Sequence, residues 1–236
     1  LLVLWLLWTL ISLPFRVWGK YRRKKGRARL IEGLRAADHG QWQRAERLLV
    51  NASEDEEVSG IALASAVRVA DARGDVASAT ALAQQLAERD PTAHALLQGE
   101  RHLAQQRPVD AINALDSAAA QPLPARGLLL RTHALAQIGR ADEAYGQLGA
   151  LRQQAVLAPE AYSALEATLA EQTLLQAGDA NALAERWEAL PKALRTYPAV
   201  VGAYAQRAAV LHWDDAAVHS LEQALDTQWD ESLVRL

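Results

Sequence analysis

The side chains in this chain of 236 residues best suited to metal binding or proton transfer near neutral pH are six histidines, His39, His94, His102, His133, His212 and His219. They are scattered along the chain. Only His212 and His219, seven positions apart, would share one face of an unbroken helix. Trp213, Asp214 and Asp215 lie between them and are predicted to form a turn, which would part them. A stable metal site needs three or four ligands, so none is expected. Cys and Met are absent, which removes disulfides, thiolate ligands and a cysteine nucleophile. The glycine spacings of dinucleotide and phosphate loops, the HExxH of zinc hydrolases and the GxSxG of serine hydrolases are also missing. With no nucleophile, base and oxyanion donors in any recognisable spacing, no catalytic residue is expected and the chain reads as a non-enzyme.

Charge is the second chemical resource, and it is unevenly placed. Arg16, Lys20, Arg22, Arg23, Lys24, Lys25, Arg27 and Arg29 form a collar with no acid among them. The rest of the chain then holds 17 bases against 28 acids, so an acidic body of net charge −11 carries one basic segment. Directly before the collar, "LLVLWLLWTLISLPF" has fifteen residues without a charge. Bases that come after an apolar run, rather than precede it, argue against a cleaved signal peptide. A transmembrane helix over residues 1–19 is the expected reading, with Trp18 and Tyr21 at the membrane interface. The run is slightly short of the roughly 20 residues a span requires. A chain that opens on Leu1 and contains no Met is therefore expected to continue upstream, and "WDESLVRL" suggests a cut at the far end too. The collar, residues 20–29, is read as a contact with anionic lipid headgroups and not with nucleic acid. Each base near such a surface contributes about 1 kcal/mol. The positive-inside rule places the collar and the remainder of the chain in the cytoplasm. The acidic run "SEDEEV" at 53–58 is read as a solvated loop leading into a helix start.

The elements that would position any of these groups are helices. Alanine is abundant, while β-branched and aromatic residues are sparse. From residue 30 the chain aligns to itself on Gly40, Gly74, Gln106, Gly139, Gly178 and about Leu211, a period near 34. In an Ala-rich helical chain this is the pattern of tetratricopeptide (TPR) repeats. The glycines are expected to close helices with positive φ. Five positions on come Ala45, Ala79, Ala111, Ala144, Leu183 and Ala216, mostly small side chains that let paired helices approach. Four further on, Leu49, Ala83, Leu115, Leu148 and Trp187 continue the stripe. Pro91, Pro122, Pro124, Pro159 and Pro198 fall at the joints. The expected fold is all-α: a TPR-like solenoid of about six helical hairpins over 30–228, preceded by the transmembrane helix. Residues 229–236 begin a further helix. Trp42, Trp187, Trp213 and Trp229 are read as packing residues.

The collar fused to the first repeat, "RRKKGRARLIEGLRAADHGQWQRAERLL", together with "ARGDVASATA" and the terminal "WDESLVRL", resembles the HemY family of proteobacterial inner-membrane proteins. The resemblance covers nearly the whole chain and is most specific from Lys20 to about Gln85. It implies two N-terminal membrane helices, of which this chain keeps the second. It further implies a cytoplasmic TPR domain and a role near the late steps of protoheme synthesis, with late haem-pathway enzymes as protein partners. It supplies no catalytic residue. The function expected is a non-catalytic membrane-anchored scaffold. The alternatives are a direct haem or porphyrin carrier and a general adaptor in envelope assembly. No resident cofactor is expected, and haem would be cargo. Its axial ligand would have to be a histidine or a tyrosine. His133 is the candidate by position, since it occupies the same place in its repeat as Arg68, Glu100 and Gln172. These four, with Arg126, are the expected partner-binding groove, because the first helix of each TPR hairpin lines the concave surface.

Overall fold

The computed structural model describes residues 25–117, 121–227 and 229–234. The apolar segment read as a membrane span, and Arg16, Lys20, Arg22, Arg23 and Lys24 of the collar, lie outside the described residues. Among the described residues no helix is long and apolar enough to cross a membrane, and no strand occurs.

The order of elements is one of repeated pairs. Helix α1 (25–38) precedes α2 (Trp42–Ala52), and α3 (Ser59–Ala72) precedes α4 (Val76–Arg89). Next come α5 (Pro91–Ala104) with α6 (Pro108–Leu115), and α7 (Ala125–Gln137) with the two short helices α8 (Ala141–Gly146) and α9 (Leu148–Gln153). The last pairs are α10 (Pro159–Leu175) with α11 (Ala180–Ala189), and α12 (Pro198–Val210) with α13 (Asp214–Thr227). A 3-10 turn at Leu194–Thr196 joins these two, and the short α14 (Glu231–Val234) comes last. That makes six hairpins among the described residues. The first one starts inside the basic collar, because α1 already includes Lys25, Arg27 and Arg29.

One turn geometry is written over and over. Gly40, Gly74 and Gly139 have φ of +69°, +76° and +79°. After each, the next N–H reaches back to the carbonyl five residues earlier: Gln41 to Ala36, Asp75 to Ala70 and Arg140 to Leu135, at 2.8–3.0 Å. This closing pattern satisfies carbonyls that a helix end would otherwise orphan. Gln106 (φ +57°) and His212 (φ +58°) adopt it too, with Arg107 bonding to His102 and Trp213 to Ala208, both at 2.8 Å. The turn thus outranks the residue type, at the cost of holding an L side chain in left-handed space.

Two expected anchors move. Gly178 is not among the positive-φ residues. Here Asp179 takes an extended conformation and its Oδ1 accepts from Ala182 N–H at 2.8 Å, so the fifth turn is closed by a side-chain cap instead. In the sixth, the turn residue is His212 rather than Leu211. The residue five positions on is consequently Ala217, 7% exposed, not Ala216. Asp214 and Asp215 open α13 rather than sit in a turn, so His212 and His219 are parted by the bend at 212–213.

The chain divides into two compact units, the first up to Gln98 with 117–121, the second Gly99–Asp116 with Pro122 onward. In the first, Ala45, Leu49, Leu63, Val67, Ala79 and Leu86 are sealed at 0–1% exposure. Gly33 lets α1 sit on α2: a Cβ there would lie 2.9 Å from the Leu49 side chain. In the second unit one core gathers Ala111, Ala134, Leu135, Ala144, Leu148 and Leu169, and another gathers Ala170, Leu174, Leu183, Val200, Tyr204 and Ala208. The expected small-residue positions Ala45, Ala79, Ala111, Ala144 and Leu183 are all fully buried. Within each unit, hairpins bury one face against their own partner helix and another against the next hairpin, as stacked repeats do.

Candidate partner-binding surface

The first unit places the collar against the acidic run. Arg27 pairs with Glu57, and Arg29 Nη1 lies 3.7 Å from a Glu54 carboxylate oxygen while donating to the Asn51 carbonyl at 3.3 Å. Lys25 is exposed. "SEDEEV" is therefore more than a solvated loop. It carries counter-charges for two collar residues, and Ser53 and Val58 at its ends are buried. Arg68, on α3, is exposed in this unit.

Glu100, Arg126, His133 and Gln172 belong to the second unit and lie on α5, α7, α7 and α10, each the first helix of its hairpin. Glu100, His133 and Gln172 share one register, six residues before the turn position, as does Arg68. Arg126 Nη2 and Glu100 Oε1 form an ion pair at 2.7 Å, with Arg126 largely exposed and the carboxylate mostly covered. Gln172 is half-buried, and its Oε1 has no hydrogen-bond partner among the described residues, leaving an acceptor for a ligand's N–H or for water. His133 is exposed to solvent, yet protein crowds one side of the ring, and that desolvation lowers its pKa from 6.5. On α5, His102 is likewise pushed down, first by burial and then by Arg107. Its Nδ1 is buried and unpartnered among the described residues. Among the described residues no three His, Asp or Glu side chains converge to hold a metal.

Ion pairs tie successive hairpins together in the second unit. Arg131 on α7 chelates Asp116 through Nε at 2.6 Å and Nη2 at 3.2 Å, a bidentate arrangement that raises the arginine pKa. Arg186 on α11 donates to the Thr173 carbonyl of α10 and pairs with Asp142 of α8. Arg207 on α12 donates to the Ala177 carbonyl at 2.6 Å. Tyr145, half-buried beside Glu166 and Tyr162, has its phenol pKa pushed up to about 12, chiefly by desolvation.

Sequence reasoning missed a concavity of the second unit. A cavity of about 550 Å³ opens between α11, the 3-10 turn, α12, α13 and α14. Trp187 and Tyr204 stack in its wall with ring centroids 4.4 Å apart, and Trp213 meets Tyr204 edge-on at 6.4 Å. Trp187 and Trp213 do pack on the core as expected, whereas Trp229 is 73% exposed. Its two bases, Lys192 and Arg195, come from the run "PKALRT", which lies outside the repeat positions.

Among the described residues, six helix pairs, five of them closed by the same left-handed turn, define a TPR-type helical-repeat protein. A solved structure from the functional characterization of Pseudomonas aeruginosa pilF is similar to it, with TM-score 0.52 over 91% of this chain and 96% of that one, at 15% identity. At that identity the likeness concerns the fold alone. A search of curated proteins finds no match. Residues 1–74 match the family model described as HemY protein N-terminus, so over that stretch the chain is similar to the HemY family. The match runs through the collar and the first hairpin to the turn at Gly74 and includes the collar and first repeat that carry the sequence resemblance.

Proposed function

We propose that this chain is a membrane-anchored scaffold. On this reading it holds protein partners at the inner membrane, with the repeats in the cytoplasm, and supports a late step of haem synthesis without catalysing it. The observation that carries the reading is the register of first-helix side chains. Glu100, His133 and Gln172 recur at one position of successive hairpins in the second unit, polar and at least partly accessible, while the same helices bury their other faces. A polar row repeated by the fold is a surface for recognition, and stacked hairpins provide the area that a specific protein interface requires. Tethering to a bilayer would raise the local concentration of partners with no new contact. The HemY match at residues 1–74 supports the link to haem synthesis.

The test is photo-crosslinking in cells from positions 126, 133 and 172, with identification of the captured proteins. Recovery of enzymes of the last haem-pathway steps, with an altered porphyrin profile in a deletion strain, is the expected result. Capture of unrelated envelope proteins, with unchanged porphyrins, would leave a general adaptor in its place.

A further inference from the structure

We infer that the cavity of the last two hairpins is a receptor for the C-terminal tail of a partner protein, one ending in an apolar residue with a free carboxylate. The inference rests on the protein-partner reading above and deepens it.

Four features of the cavity point the same way. Its volume, about 550 Å³, is in the range of well-formed ligand sites and far above a packing defect. Its floor is apolar: the Trp187–Tyr204 stack, with Leu233 of α14 buried beside it at 3% exposure. Its rim is cationic. Lys192 and Arg195 both line it, and among the described residues neither has a carboxylate partner. Arg195 spends only its Nε, donating to the Leu190 carbonyl at 3.1 Å, so the outer guanidinium nitrogens remain for a ligand. In a body whose net charge is −11, two bases without counter-ions beside an aromatic floor are an uncommon placement.

The fourth feature selects a peptide over a simple organic acid. Thr196 and Ser220 also line the cavity. Their hydroxyls already donate to the Ala193 and Ala217 carbonyls, at 2.9 and 2.8 Å. What they present to a ligand is therefore lone pairs, which need N–H donors. A peptide terminus offers both halves of the match, amide N–H groups for the hydroxyls and a carboxylate for Lys192 and Arg195. Its last side chain would enter between Trp187 and Leu233.

The experiment uses the full chain in detergent micelles and two fluorescent peptide pools. Both pools are random in the interior and end in Leu or Phe, one with a free carboxylate and one amidated. The free-carboxylate pool should bind about tenfold to a hundredfold more tightly, the worth of hydrogen bonds to a charged group. Lys192→Gln and Arg195→Gln should each erase most of that difference, and Arg44→Gln, at an exposed base of the first unit, should preserve it. Thermal unfolding of the variants checks that the fold is intact, and Arg195→Lys, which keeps the charge, should retain part of the preference. Equal binding of the two pools overturns the inference. So does displacement of the peptide by indole-3-propionate at equal concentration, which would make the site one for small aromatic acids. Partner capture from positions 126, 133 and 172 is scored separately. Captured proteins with indifferent pools would leave the scaffold standing without this site, and selective pools with no captured protein would do the reverse.

Discussion

The recurring turn makes a quantitative prediction, because it can be perturbed in both directions. At Gly74, φ is +76° and a Cβ would meet nothing within 4 Å. Gly74→Ala therefore introduces no clash, and its effect is the conformational cost of placing an L residue in left-handed space. That cost is about 1–2 kcal/mol, offset by a few tenths from the less flexible unfolded chain. The net expectation is a loss of about 1 kcal/mol. At Gln106 the same geometry is already borne by an L residue at φ +57°. Gln106→Gly should relieve the strain and stabilise its hairpin by up to about 1 kcal/mol, although glycine normally weakens helical chains by about 0.5–1 kcal/mol. Gly146→Ala is the control: it lies at the end of a helix without positive φ, faces open space and should gain up to about 1 kcal/mol. Urea unfolding of the full chain in detergent, monitored by circular dichroism, reads the three together. Hydrogen exchange at each hairpin shows where the change sits, since repeat stability is local. In a thermal scan 1 kcal/mol corresponds to about 2–4 °C for a chain of this size. If Gln106→Gly destabilises, or Gly74→Ala and Gly146→Ala behave alike, the reasoning from backbone geometry is refuted.

Other substitutions and conditions test the packing and the titrating groups. Leu135→Ala empties a fully buried position between α7 and its neighbours and should cost about 2–5 kcal/mol, read from the urea midpoint. Asp179→Ala removes the cap that replaces the glycine turn at the fifth hairpin and should cost about 0.5–2 kcal/mol, with faster exchange of the Ala182 amide. His102 and His133 both have folded pKa values below the unfolded 6.5, so the unfolded chain binds more protons as pH falls. Their contribution is intact above about 6.5 and is lost as pH drops through 6.5 to the folded values. The double variant His102→Gln/His133→Gln should flatten that slope in a urea titration against pH. Haem added to the full chain should give the same weak Soret change in wild type and His133→Ala. A stoichiometric change abolished by the substitution would favour the carrier.

The repeat was legible in one line of letters because it is a local matter. Small residues at Ala45, Ala79, Ala111 and Ala144, prolines at helix starts and glycines before them are each dictated by backbone sterics within a few residues. The same logic assigned the turn to Gln106 although no glycine marks it. It failed at Gly178 and Leu211 because two closures compete there, a left-handed residue and an aspartate cap, and a one-residue shift leaves the spacing almost unchanged. The Gly33–Leu49 and Gly99–Leu115 contacts could have been found, since both glycines stand seven residues before a turn position.

Which charges meet was a different kind of question. Arg27 with Glu57, Arg131 with Asp116 and Arg186 with Asp142 join residues 15 to 44 positions apart, and any of several partners would have satisfied the composition. The cavity of Lys192, Arg195, Trp187 and Tyr204 likewise exists only once α11 to α14 have folded around it. Periodicity thus set the number of hairpins and what each one buries, because burial is dictated by spacing along a helix. Tertiary structure alone decided which side chains from different hairpins share a surface, because that depends on how rigid helices cross and not on the order of residues within any one of them.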